Sequence, residues 1–162
     1  MPQLTVRAEP YTGEVAQSLI ERVQVDYVLR YGGRDETAVD PTQFAPPGGL
    51  FLVAWLGDEP VACGGLRRLA DGVSEIKRMY VDPAHRGRGY ARRLLAAAEE
   101  AARDLGYRRM QLETGTAQPE AMALYTSCGY QRIPSYGYYS WSPQNACYAK
   151  ELVAADADQV SE

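Results

Sequence analysis

The sequence predicts one α/β domain built on a mixed, mainly antiparallel sheet flanked by helices. Three observations predict it. Residues 49–56 and 61–69 read as two apolar strands around a GDEP turn, the pattern of neighbouring antiparallel strands. Residues 73–105 and 109–127 each run from a strand into a helix followed by glycine, the pattern of a βαβ crossover. The length of 162 residues and mass of 17.9 kDa suit a single core.

The elements follow in chain order. Residues 3–8 form an edge strand, and Pro10 breaks it from a helix over residues 11–31 whose apolar face carries Val15, Leu19, Val23 and Tyr27. Residues 32–48, rich in proline, glycine and acid, read as an irregular excursion, either a substrate lid or a surface connection. In the strand over 73–81, simple alternation places Glu75 and Met79 on one face. The helix over 89–105 has Leu94, Leu95, Ala98, Ala102 and Leu105 as its stripe and Gly106 as its stop. A short strand over 109–113 leads to a helix over 119–127 closed by Gly129. Strands over 130–133 and 145–152 complete the sheet, separated by a segment with Tyr136, Tyr138, Tyr139 and Trp141. The domain is expected to span residues 1–153, with residues 154–162 a fraying acidic tail.

Composition narrows the function. Hydrophobic residues make up 46% and charged residues 23%, which excludes disorder as the main state. A net charge of -4 gives no general reason to bind nucleic acid or an anionic membrane. No apolar run is long enough to span a bilayer and the first residues lack a signal-peptide pattern, so a soluble cytoplasmic protein is expected. Cys63, Cys128 and Cys147 are widely spaced and read as core thiols, and with His85 the sole histidine no metal site is expected.

The informative segment is YVDPAHRGRGYARRLL, residues 80–95, which sets strand, tight glycine turn and amphipathic helix in succession. Gly87 and Gly89 remove side-chain bulk while Arg86 and Arg88 add positive charge beside a helix N-terminus, a cradle suited to a diphosphate. Neither the dinucleotide GxGxxG nor the Walker GxxxxGK[ST] pattern is present. The segment resembles the [RQ]xxGx[GA] signature of the GNAT superfamily of acyl-CoA-dependent N-acyltransferases, here Arg86, Gly87, Arg88, Gly89, Tyr90 and Ala91. The resemblance implies that these six residues bind the pyrophosphate of coenzyme A. It also implies that the backbone of Met79, Tyr80 and Val81 contacts the pantetheine arm.

A second block, QPEAMALYTSCGY over residues 118–130, is similar to the NxxAxxLYxxxGF segment of the same superfamily. Gln118 stands where asparagine is common, so the resemblance implies a cofactor contact from a side chain one methylene longer. It makes Tyr125 a donor of a proton to the departing thiolate, with aromatic packing and cofactor orientation as the alternative. Glu75 lies 11 residues before Arg86, the spacing of the catalytic glutamate in related histone acetyltransferases. It is either a general base or a partner for a cationic substrate or a nearby Arg or Lys.

The resemblance thus implies a single-domain GNAT-like enzyme using acetyl-CoA as cosubstrate, without a metal. Acetyl transfer would go to a primary amine on a small molecule or amino-acid-like acceptor, by direct attack in a ternary complex. Arg67, Arg68, Arg78 and the residues 136–141 are placed on the acceptor side. A protein or peptide acceptor and a non-catalytic acyl-CoA sensor are the competing readings, and a homodimer is compatible with the resemblance.

Overall fold

The computed structural model describes residues 3–152, so the expected acidic tail over 154–162 lies outside the described residues. Within them the order is β1 (Leu4–Ala8), α1 (Glu14–Tyr31), β2 (Leu50–Leu56), β3 (Glu59–Ala70), β4 (Val73–Val81), α2 (Tyr90–Asp104), β5 (Arg109–Gly115), α3 (Pro119–Ser127), β6 (Gln131–Ile133) and β7 (Asn145–Glu151). The strands form one seven-stranded sheet in the order β1-β2-β3-β4-β5-β7-β6. Only the β4–β5 pair is parallel, and α2 is its crossover. Among the described residues no helix is long and apolar enough to cross a membrane.

Alternation along the strands divides the core. Leu52, Ala54, Leu66 and Ile76 face α2 and α3, where Leu94, Leu95, Ala98 and Tyr125 cover them. Phe51, Val53 and Cys63 face the other way, against Ala16, Leu19 and Val23 of α1. Each fully buried leucine or valine contributes roughly 1.5–3 kcal/mol relative to exposure, so both faces are firmly attached. Helix α1 starts three residues after Tyr11 because Gly13 hydrogen-bonds back to Pro10 O and Tyr11 stacks on Phe44, its ring centroid 4.7 Å away. The excursion over 32–48 is anchored rather than loose. Its 3₁₀ turn Pro41–Phe44 is capped by Asp40 and buries Phe44 in the α1 layer.

One irregularity positions the site. Cys63 pairs with Tyr80 and Gly65 with Lys77, so Arg78 and Met79 together oppose Gly64. This is a β-bulge, and Arg78 takes a left-handed φ of 60° within it. The bulge corrects the expected alternation. Met79 packs with Ile76 on the α2–α3 side, whereas Glu75 bonds Arg67, which also reaches Gln43 and Ala38 O on the opposite side.

Candidate active site

The parallel pairing of β4 with β5 ends at Ile76 and Leu112. Beyond that point the strands separate: the bulge bends β4 away while β5 stays paired with β7 through Gly115. A cavity of about 260 Å³ opens between them, with Ile76 and Leu112 at its fork. It sits at the carboxyl ends of the parallel pair, where open α/β sheets place their ligands. Lys77, Arg78 and Met79 line one wall, Glu113 to Gly115 and Asn145 the other, and Gln118 and Tyr125 come from α3. Tyr31 closes in from α1: any side chain at Gly115 would run into its phenol, which donates to Gln118 Oε1 at 3.1 Å.

The wall formed by Lys77 and Arg78 is charged although largely buried. Asp35, carried in by the excursion after α1, contacts the Arg78 guanidinium, and Lys77 Nζ stands 3.9 Å from the same carboxylate oxygen. Burial alone would raise the Asp35 pKa, but Lys77 and Arg78 outweigh it and hold the carboxyl below its ordinary value. Glu113 goes the other way. Burial pushes its carboxyl up more than Lys77 pulls it down, with Glu75 and Asp35 adding to the rise.

Tyr125 is buried where α3 meets the cavity, its hydroxyl 3.8 Å from Met79 Sδ and its ring packed edge-on against Tyr130. Burial raises the phenol pKa, so it stays protonated at neutral pH. Glu75 does not line the cavity. It is 3% exposed, and both oxygens are engaged: Arg67 Nε donates at 3.0 Å and the Tyr136 hydroxyl at 2.9 Å. Of the other residues assigned to the acceptor side, Arg78, Tyr139 and Trp141 line the cavity, while Arg68 pairs with Asp71.

The glycine turn lies outside this cavity. Gly87 and Gly89 adopt φ of 81° and 80°, a conformation that L side chains resist, and Gly89 starts α2 without any side-chain cap. Among the described residues the amides of Gly87, Arg88 and Gly89 donate to no other group, and the first amides of α2 follow them. Such a row of open N–H groups at a helix N-terminus fits a diphosphate. Arg86 folds back to donate to Val81 O at 2.9 Å and lies over the Tyr80 ring, fastening the turn to β4.

Lys77, Glu113, Asn145 and Asp35 were not singled out from the sequence. For Glu113 a signal existed, a carboxylate at the carboxyl end of a strand in a parallel pair. Asp35 carried none, since its loop is placed by tertiary contacts, among them the burial of Phe44, the hydrogen bonds with Gln24, those of Arg67 to Ala38 O and of Glu36 to Tyr139, and the ion pair itself.

Comparison with known proteins agrees with the geometry. The sequence model described as the Acetyltransferase (GNAT) family matches residues 17–130. The chain is 32% identical over 153 residues to an IAA acetyltransferase of Azospirillum brasilense, covering 94% of this chain and 100% of the relative. A Klebsiella pneumoniae protein assigned to the acyl-CoA N-acyltransferases superposes with a TM-score of 0.78 at 30% identity, over 93% of this chain and 99% of that one. A GNAT acetyltransferase of Elizabethkingia anophelis with acetyl-CoA bound shares the fold at 16% identity, with a TM-score of 0.68 over 91% of this chain and 97% of that one.

Proposed function

Because the chain belongs to the GNAT family of acetyltransferases, we propose that it transfers the acetyl group of acetyl-CoA to a primary amine of a small molecule, by direct attack in a ternary complex. The observation that carries this reading is the wedge between β4 and β5, with a protonated phenol on one wall and a carboxyl of raised pKa on the other.

Acetyl-CoA supplies the activated thioester; the chain holds and aligns it. The amides from Gly87 through Ala91 receive the diphosphate, with Arg86 and Arg88 adding positive charge. The edge of β4 beyond Ile76 has no β5 partner, so those backbone groups of Met79 to Val81 that face away from β3, apart from the Val81 carbonyl held by Arg86, are available to the pantetheine arm and to the acetyl carbonyl oxygen. Gln118, at the start of α3, presents its amide to the same channel.

As the amine nitrogen bonds to the carbonyl carbon, the carbon–sulfur bond breaks and one proton must leave the nitrogen. Glu113 is the carboxylate that lines the cavity with a raised pKa, and it accepts that proton. Tyr125 donates its own proton to the leaving thiolate. Glu75 serves as a positioning residue, fixing Arg67 and Tyr136 behind the cavity.

The test is acetyl-CoA consumption by the purified protein over a broad panel of amines and amino acids, with thiol release checked against acetylated product by mass. A product establishes the transfer. Absence of both turnover and coenzyme A binding would sink the assignment, and tight binding without turnover on any amine would favour a sensor.

A further inference from the structure

The acceptor wall holds more hydrogen-bond donors than the protein satisfies. Lys77 and Arg78 share the single carboxylate of Asp35, and Arg78 is the one in close contact. Among the described residues the Lys77 ammonium donates no hydrogen bond, its Asp35 partner being 3.9 Å away. Arg78 Nε is a buried donor without a partner, and Asn145 Nδ2, although beside the Glu113 carboxyl whose charge it favours, makes no hydrogen bond of normal geometry. Lys77, Arg78 and Asn145 are 7%, 5% and 6% exposed, and all three line the same cavity from opposite sides of the wedge. Buried donors are normally satisfied, so a cluster of unsatisfied ones marks a place for an acceptor group from outside the chain.

Charge and shape narrow that group. Two cations against one carboxylate leave one positive charge, which suits a carboxylate better than a doubly charged phosphate. Glu113, in the same cavity, faces the neutral amino group whose proton it accepts. At the mouth stand Tyr139 and Trp141, ring centroids 6.4 Å apart, with Trp141 74% exposed. So exposed an indole beside a polar cavity is an apolar platform for a side chain.

We propose that the acceptor is an α-amino acid with an apolar side chain, its carboxylate held by Lys77, Arg78 and Asn145 and its side chain laid against Tyr139 and Trp141. A small rotation of the Arg78 and Asn145 side chains turns their idle donors to the carboxylate, and the amine then lies beside Glu113. This assignment rests on the N-acetyltransferase reading above and names the substrate class of the same site.

The experiment compares kcat/KM for the proteinogenic L-amino acids with that for their decarboxylated amines, in the wild-type protein and in Asn145→Ala, Lys77→Met and Trp141→Ala. At least one apolar amino acid is expected to exceed its own amine by more than tenfold. Asn145→Ala is expected to cut that ratio to below threefold, through KM rather than kcat. Trp141→Ala is expected to narrow the preference for bulky over small side chains at least fivefold. Lys77→Met removes a buried charge next to Asp35, so the wild-type ratio and Asn145→Ala decide the matter if that variant fails to fold. Amines that match or outdo their amino acids overturn the proposal while leaving N-acetyl transfer intact. A panel with no turnover at all also overturns it, and acetyl-CoA binding by the same preparation then reports separately on the broader reading.

Discussion

Replacing Tyr125 by phenylalanine separates chemistry from packing. The ring stays, and with it the contacts to Tyr130 and Tyr148 at centroid distances of 5.9 and 6.0 Å. What leaves is a hydroxyl whose protein partner is the Met79 thioether at 3.8 Å, a weak acceptor at long range. That loss costs less than about 1 kcal/mol, and for a domain of this size it lowers Tm by no more than roughly 2–4 °C. If the phenol protonates the leaving thiolate, the same change removes a general acid worth on the order of 100-fold in kcat, about 2.7 kcal/mol of barrier. The assay is kcat by thiol release at saturating acetyl-CoA and acceptor, beside thermal unfolding of both proteins. A kcat within threefold of wild type, with Tm unchanged, would refute the proton-donor role. A Tm fall beyond about 10 °C would instead show the hydroxyl to be structural.

Three further changes probe the rest of the site. Since burial raises the Glu113 pKa and the base works ionised, kcat/KM is expected to climb as pH rises through a value above the ordinary carboxylate range, and Glu113→Gln to abolish that limb; a variant with the limb intact refutes the assignment. A carboxyl with a raised folded pKa loses stability as pH climbs from its unfolded to its folded value, so Glu113→Gln should be at least as stable as wild type at pH 8 in thermal unfolding. Glu75→Gln leaves Arg67 nearly buried without its counter-charge and should cost about 3 kcal/mol, or roughly 10 °C in Tm, with kcat per folded molecule falling less than tenfold. A stable variant with a hundredfold lower kcat would return the general-base role to Glu75. Gly89→Ala forces a left-handed φ of 80° on a side-chain-bearing residue, about 1–2 kcal/mol, and should raise KM for acetyl-CoA on the order of tenfold with kcat within threefold. An unchanged KM would remove the turn from the cofactor site.

What could be read in the sequence was whatever local periodicity and turn chemistry dictate. The strand-turn-helix of residues 80–95 and the block at residues 118–130 are short segments whose conformation follows from glycine, proline and the spacing of apolar residues. A bulge near Met79 to Val81 is what the resemblance to the superfamily implies, but its register is not legible in the sequence. Placing it takes the register of β4 against β3, where Arg78 and Met79 share one partner, and that one extra residue carried Met79 away from the face of Glu75. Proton roles were less legible still, since the spacing before the glycine turn pointed to Glu75 alone and nothing in the local pattern drew attention to Glu113 on the neighbouring strand.

The sequence by itself determined the individual strands, helices and glycine turn, whose signals lie within a few residues along the chain, and their order, strand after strand and then strand-helix-strand, implied the mixed sheet. Only the tertiary structure decided which carboxylate meets the cavity. Glu75 lies where β3 and β4 remain paired, within reach of Arg67 and Tyr136, and Glu113 lies past the fork, where no β4 residue is paired with it. Arg67 is 8 positions from Glu75, but the segments that bury this pair and border the cavity are tied by residues much farther apart, such as Arg67 with Ala38 at 29 positions and Glu36 with Tyr139 at 103. Charge–charge energies depend on distance and on the surrounding dielectric, and both come into existence only when those distant segments are brought together.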